Sequence, residues 1–162
     1  MVAKSINKKW LWGSLVALLA LSMFLNGADM LSFAKRFRSE GVGYTSRIWR
    51  SSDSMKFVES LTGDRTIYTN GPDVIEFRSD KRAVRIPKKC DKSTHQNCPQ
   101  FEQEMRSLCM EVVDDSAIIV YLDNITWRWY LPTVQEIEDI CESLESIHLT
   151  DGIVFGVDEW EG

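Results

Sequence analysis

Two loops carry the residue types that could bind a ligand. The segment "IYTNGPDVIEF" (67–77) places Asn70 and Asp73 between an apolar strand-like run and a helix. Asp123 follows the apolar run "AIIVYL", and Trp127 stands four residues later. Amide, carboxylate and aromatic side chains are the groups that orient ligands in largely apolar pockets. These four residues therefore form the candidate set for a ligand site.

The Asn-Gly-Pro-Asp turn has two interpretations, a phosphate-binding loop or a capped helix start. Pro72 lacks only an N–H that would have no helical partner at the first turn, and Asp73 complements the positive end of the helix dipole. The turn has neither the further glycines of a dinucleotide fingerprint nor the Gly-Lys-Ser/Thr of a nucleotide loop. Because Asp73 would also repel phosphate, the sequence favours the capped helix start, and it predicts no cofactor.

The segment "LDNITWRWYLP" (122–132) places Trp127, Trp129 and Tyr130 in a loop after a buried strand. Bulky aromatic side chains in a loop need a partner surface, which a membrane, a sugar ring or a neighbouring domain could supply. They could instead fold back onto the edge of the sheet. Both interpretations stay open, and all three residues are candidate binding residues.

Four cysteines and two histidines raise the question of a metal or redox site. Cys90 and Cys98 flank His95 in "CDKSTHQNC", a spacing that matches no standard zinc pattern, so we predict no metal. If the domain lies outside the cytoplasm, Cys90 and Cys98 are a candidate disulfide. Cys109 and Cys141 stand on apolar helix faces and are expected to be core thiols.

The remaining charged residues suggest no catalytic set. The net charge of −5 argues against a nucleic-acid partner, because binding to phosphates needs a dominant basic field. Acid pairs such as Glu136 with Asp139 are typical of a solvated helix face, and no nucleophile motif accompanies the histidines. A basic cluster near the second predicted strand could meet anionic lipid headgroups or remain a solvated edge: Arg78, Lys81, Arg82, Arg85, Lys88 and Lys89.

The N-terminal segment indicates a membrane anchor. An apolar run from Trp10 to Leu25 follows Lys8 and Lys9, and about 20 apolar residues are needed to cross a bilayer. We predict a cytoplasmic segment at 1–9, a transmembrane anchor at 10–33 and a juxtamembrane helix and hinge at 34–50. A cleaved signal peptide is the alternative, although "FLNGADM" offers no clean pair of small residues at the cleavage spacing.

Residues 51–162 alternate helical and strand-like patterns. The strands are "RTIYT", "AVRIP" and "AIIVYLD", and "SIHLTDGIVFGV" predicts a hairpin around Asp151-Gly152. This order predicts an α/β domain with a small, three-layer, mostly parallel sheet that ends in a β-hairpin. Ligands of such sheets bind at the carboxyl ends of parallel strands, where we expect the loops 70–73, 87–99 and 123–132 to converge.

The order of five segments resembles a known family: "SRIWRSSDSMKFV", "IYTNGPDVIEF", "AVRIP", "VYLDNITWRWYLP" and "DGIVFGV". It is similar to the extracytoplasmic C-terminal region of bacterial polytopic GT-C type glycosyltransferases, relatives of the dolichyl-phosphate-mannose protein mannosyltransferases. The resemblance covers about Gly43 to Val157, and the anchor would correspond to the last transmembrane helix of the family. Catalysis in that family depends on acidic residues in a loop between early membrane helices, and this chain has no matching loop. The resemblance therefore implies a location and a fold but no catalytic residue.

The sequence thus predicts a single-pass protein of the cell membrane whose domain outside the cytoplasm is non-catalytic and serves recognition or assembly. The expected partners are membrane lipid and a multispanning glycosyltransferase or a polyprenyl-linked sugar. The alternative is an anchored binder of lipid-linked sugars, or an enzyme acting on them, that uses the four residues of the candidate ligand site.

Overall fold

The computed structural model describes residues 8–41, 43–142 and 144–157. Within these ranges, it does not describe the side chains of residues 8–11, 20, 24–26, 28, 36, 39 and 40. Residues 1–7 of the predicted cytoplasmic segment lie outside the described residues. The chain divides into two compact units, one up to Arg47 and one from Ile48 onward.

The first unit is mainly one helix. Helix α1 runs over Lys8–Glu40, and a 3-10 turn at Gly43–Thr45 follows it. The short helix α2, Arg47–Arg50, has its last three residues in the second unit. Helix α1 continues past residue 33, so the predicted anchor and juxtamembrane helix are one element. The expected hinge coincides with Gly41 and Gly43, whose φ angles of 75° and 59° suit glycine. No helix within the described part of the chain has the length and apolar character needed to cross a membrane.

The second unit forms the predicted strands and hairpin, with helices between them. Side-chain caps explain several of the boundaries: the Ser52 hydroxyl accepts from the Met55 N–H at 3.1 Å, and Thr133 forms a reciprocal capping box with Glu136. The elements are α3 Asp53–Ser60, β1 Thr66–Thr69, α4 Pro72–Ser79, β2 Ala83–Arg85, α5 Phe101–Val113, β3 Ala117–Leu122, α6 Val134–Ile140, β4 Ser146–Leu149 and β5 Gly152–Phe155.

The five strands form one mixed sheet in the order β2-β1-β3-β5-β4. Strand β1 is parallel to β2 and β3, whereas β5 is antiparallel to β3 and β4. The prediction of a mostly parallel sheet is therefore wrong: the sheet is parallel in one half only, because the terminal hairpin joins it through its second strand. Strand β5 is buried throughout and takes the interior position, while the alternately exposed β4 forms the edge.

Apolar side chains cover both faces of β3. Ala117 and Ile119 point to the face where Met105 and Leu108 of α5 complete the main core. Ile118 and Val120 alternate to the other face and are fully buried there, on the side where α3 contacts β5. Helices thus pack against the sheet from two sides, which explains why the β3 sequence is an almost continuous apolar run.

The hairpin turn lies one residue earlier than the sequence suggests. Leu149 pairs with Gly152, so Thr150 and Asp151 form the two-residue connection and Gly152 begins β5. A Cβ atom at Gly152 would overlap the carbonyl oxygen of Tyr121 and lie 2.6 Å from the Ser54 hydroxyl. Glycine is therefore required here by close packing between strands and helix α3, and not by the turn.

The cysteine pairing corrects the sequence-based expectation. A disulfide joins Cys109 of α5 to Cys141 after α6, with their Cα atoms 5.5 Å apart, and Cys90 and Cys98 are free. A short antiparallel bridge pairs Cys90 with Asn97, which leaves Cys98 one residue out of register. Because successive side chains of such a bridge point to opposite sides, Cys90 enters the core and Cys98 stays partly exposed. The expected Cys90–Cys98 bond is therefore wrong in this structure.

Candidate recognition site at the strand ends

The three loops at the carboxyl ends of β1, β2 and β3 converge as predicted. The Lys89 N–H donates to the Tyr130 carbonyl at 3.1 Å, which joins the loop after β2 to the loop after β3. The Arg128 guanidinium donates to the Asn70 carbonyl at 2.8 Å, which joins the loop after β3 to the turn after β1. The three loops are therefore joined to one another, and the individual contacts of each candidate residue determine what it can do.

Asn70 acts as a clamp between two strand ends. Its side-chain Nδ2 donates to the Leu122 carbonyl at 2.9 Å, and its Oδ1 accepts from the Leu122 N–H at 2.8 Å. The residue is only 1% exposed. Both polar atoms of the amide are used inside the protein, so Asn70 joins β1 to β3 and is not available to a ligand.

The turn that follows is a packed helix start. The Gly71 N–H donates to the Thr69 hydroxyl at 3.1 Å, and a Cβ at Gly71 would lie 2.9 Å from a Leu122 methyl group. Pro72 occupies the first turn of α4, and Asp73 stands beside it. This geometry agrees with a structural helix start, because the Gly71 N–H that a phosphate would need is already bonded to Thr69.

Arg128 is the residue of this site that sequence reasoning missed. Its guanidinium forms an ion pair with the Asp73 carboxylate while also donating to the Asn70 carbonyl. The Arg128 side chain is only 10% exposed. The only available signal was an arginine between two tryptophans, which does not indicate a partner 55 positions earlier. Asp73 is thus held by Arg128, as a positioning contact of the loop.

The aromatic loop, defined here as residues 124–131, divides its large side chains between core and solvent. Ile125, Tyr130 and Leu131 are buried. Trp127 and Trp129 remain 55% and 46% exposed. The fold-back interpretation therefore holds for Tyr130 only, and the two indoles face outward.

Contacts from the loop after β2 support the exposed indole of Trp129. The His95 ring stacks on it with centroids 4.6 Å apart and an interplanar angle of 13°, and the Tyr130 ring meets it edge-on at 6.0 Å. The Lys92 ammonium lies 5.9 Å from the centre of the Tyr130 ring. The loop thus presents its indoles from a base fixed by buried side chains and by Arg128.

Asp123 belongs to a separate polar cluster at the hairpin. Its backbone N–H donates to the Asp151 carbonyl at 3.0 Å. Burial and then the nearby Asp151 charge raise the pKa of Asp123, and His148 opposes this shift. The Asp151 carboxylate itself accepts from the Ser54 N–H at 3.0 Å and the Ser54 hydroxyl at 2.8 Å. Asp123 therefore does not share a ligand cavity with Asn70, whose amide is enclosed.

The raised pKa of Asp123 predicts that Asp123→Asn stabilises the protein at neutral pH. A carboxyl group whose folded pKa is raised contributes stability below its unfolded pKa of about 3.9, and this contribution is lost as the pH rises through the folded value. The melting temperature of the variant should exceed that of the wild type at pH 7, and the difference should vanish below about pH 4. Asp64→Asn, at an equally exposed position in the loop before β1, is the control, and an equal gain there would contradict the assignment.

The six cations of the basic cluster do not act together as one positively charged surface. The Lys81 ammonium donates to the Leu61 carbonyl at 2.8 Å, and Lys89 pairs with Glu136 at 2.9 Å. Arg85 and Lys88 instead line a groove of about 750 Å³. Two of the six cations are thus used in local contacts, and two contribute to a groove between the end of β2 and the start of α5.

Among the described residues, no group of three or more His, Cys, Asp or Glu side chains is arranged to hold a metal ion. Comparison of the chain with protein-family models, with curated proteins and with solved structures finds no match. The functional argument therefore depends on the geometry of the chain itself.

Proposed function

We propose that this chain is a membrane-anchored, non-catalytic domain outside the cytoplasm that recognises a partner protein through its aromatic loop. The observation that carries the proposal is the display of two exposed indoles, Trp127 and Trp129, on a base that is itself buried. Exposed tryptophans on a fixed base are typical of the residues that dominate binding energy at protein interfaces.

The rigidity of the loop supports this role. Arg128 lies between the two indoles and is held by Asp73 and the Asn70 carbonyl. Ile125 and Leu131 anchor the loop on either side by burial. Binding costs less conformational entropy when the contact residues are already held in position. The contact residues of the loop are therefore preorganised for binding in the absence of the partner.

The contacts of the polar candidates favour recognition over the handling of lipid-linked sugars. Asn70 uses both amide atoms on Leu122, and Asp73 pairs with Arg128. A binder or enzyme that used Asn70 or Asp73 would have to break contacts that hold the strand ends together, which costs stability.

Two features support the proposed location. The described side chains at positions 12–19 of α1 are all exposed and mostly apolar, and apolar character around a whole helix suits lipid contact. The Cys109–Cys141 disulfide favours an oxidising compartment outside the cytoplasm. These features support our proposal that residues 10–33 form the anchor and that the domain lies on the outer side. Recovery of the full-length chain from cytosol, free of membrane, would contradict this placement.

The proposed partner is a multispanning membrane glycosyltransferase. Five sequence segments of this chain resemble the extracytoplasmic region of such enzymes, so the domain would lie beside the enzyme at the outer membrane surface. Membrane lipid around the anchor would be the second contact.

Co-purification from gently solubilised membranes tests the proposal. Replacing Trp127 and Trp129 together by alanine should reduce the recovered glycosyltransferase at least about tenfold, because hot-spot residues contribute about 2 kcal/mol or more each. Circular dichroism should show unchanged folding, since both indoles are outside the core.

The matched control replaces Met110 and Val113 of α5, two exposed apolar side chains away from the loop, by alanine. This variant should recover the partner like the wild type. Undiminished recovery with the tryptophan variant, or an equal loss with the control, would refute a docking role for the aromatic loop.

A further inference from the structure

The groove beside the aromatic loop has the dimensions of a binding site. Its volume of about 750 Å³ lies within the range of about 300–1,000 Å³ that ligand pockets occupy. Three elements supply its walls: residues 85–88 at the end of β2, the loop after β2, and the start of α5 from Gln100.

One carboxylate organises the loop that borders this groove. Asp91 accepts from the Ser93 and Thr94 N–H groups, both at 2.9 Å, and from their hydroxyls. These bonds, led by the Ser93 hydroxyl, hold the pKa of Asp91 far below its usual value. The Asp91 N–H also donates to the Gln96 carbonyl at 2.8 Å, which closes the loop. The wall of the groove is therefore ordered without a ligand.

The same loop borders both the groove and the aromatic loop. Thr94 and Gln96 line the groove, while His95 between them stacks on Trp129. A partner that covers Trp129 would thus reach the rim of the groove.

The lining chemistry indicates the class of ligand. Gln96, Asn97 and Gln100 offer side-chain amides, which donate to and accept from a peptide main chain. The lining also includes two cations, Arg85 and Lys88, neither of which forms an ion pair within the described part of the chain, and two acids, Asp91 and Glu104. The two acids repel any anion and repel a multiply charged one such as phosphate most strongly, whereas a single carboxylate can pair with Arg85 and Lys88.

We propose that this groove binds an extended peptide segment that carries one carboxylate side chain, supplied by the protein that docks on the aromatic loop. The source of the peptide rests on the proposed function, but the groove can be tested without the partner. Its amides would hold the peptide main chain, and Arg85 with Lys88 would hold the carboxylate.

The test titrates the full-length chain in detergent micelles with the acetylated, amidated pentapeptide Gly-Gly-Glu-Gly-Gly, followed by NMR. The side-chain amide signals of Gln96, Asn97 and Gln100 should shift and saturate. The matched pentapeptide with glutamine at the centre should bind about threefold to tenfold more weakly, since exposed ion pairs contribute up to about 1 kcal/mol each. Acetate and inorganic phosphate, titrated separately, should not saturate the same signals.

Two variants locate the charge effect. Replacing Arg85 and Lys88 together by glutamine should remove the preference for the glutamate peptide. Arg106→Gln, which neutralises an exposed cation of α5 outside the groove, should keep it.

The inference would be overturned if the side-chain amide signals of the groove did not shift, or if both peptides bound equally. Saturation of these signals by phosphate or acetate alone would also overturn it. So would loss of the preference in Arg106→Gln. The peptide titration tests the groove, and the co-purification with the tryptophan variant tests the proposed function. Either proposal can therefore fail while the other holds.

Discussion

Replacing Cys109 and Cys141 together by alanine is expected to lower the free energy of unfolding by about 3–4 kcal/mol. The disulfide links residues 32 positions apart, and in the chain-entropy model it stabilises the fold by restricting the unfolded chain. It also joins α5 to the end of α6 within the main core. Chemical denaturation followed by tryptophan fluorescence measures the change.

Two observations separate this effect from a general sensitivity to cysteine replacement. Cys98→Ala, at a free and partly exposed thiol, should change stability by no more than about 0.5 kcal/mol. Alkylation of the denatured, unreduced chain should label Cys90 and Cys98 only. Labelling of Cys109 or Cys141, or equal losses in both variants, would show that the pairing is wrong.

Asn70→Ala is expected to destabilise the protein by about 2–4 kcal/mol. The change removes two hydrogen bonds and leaves the Leu122 N–H and carbonyl without these partners in a buried place. Each buried polar group left unpaired costs about 1–3 kcal/mol, and the lost side-chain volume adds to this. The denaturant midpoint measures the loss.

A second variant at the same position isolates the hydrogen-bonding role. Asn70→Asp keeps an acceptor for the Leu122 N–H but places an oxygen against the Leu122 carbonyl, so it should also destabilise at neutral pH. Asn97→Ala, at an exposed asparagine, is the control and should stay within about 0.5 kcal/mol of the wild type. A neutral effect of Asn70→Ala would mean that the clamp does not hold β1 to β3.

Asn70→Ala and Asn70→Asp also affect the recognition site, because Asn70 supports the base of the aromatic loop. Asn70 fixes the end of β1 to the end of β3, and Arg128 bonds the carbonyl of that same asparagine. Loosening the clamp should therefore disturb the base of the loop without touching the indoles.

Local sequence patterns were sufficient to locate the elements of the domain. Ser52 and Thr133 are capping residues whose preference depends only on nearby backbone groups, and Pro72 suits a first helical turn in any fold. The apolar run of β3 indicated a strand buried on both faces. The convergence of three loops followed from the direction of the parallel strands β1, β2 and β3.

The sequence by itself thus determined the strands of the domain, the helices between them and the terminal hairpin, whereas the exposure of Trp127 and Trp129 came from the structure. Only the tertiary structure decided which cysteines pair, that β5 lies beside β3, and that Asn70 and Arg128 serve as internal contacts. The physical reason is range: caps and periodicity act over a few residues, whereas the Asn70 clamp reaches 52 positions along the chain and the disulfide 32. Such pairs depend on how the elements are packed, and local sequence patterns contain no information about that packing.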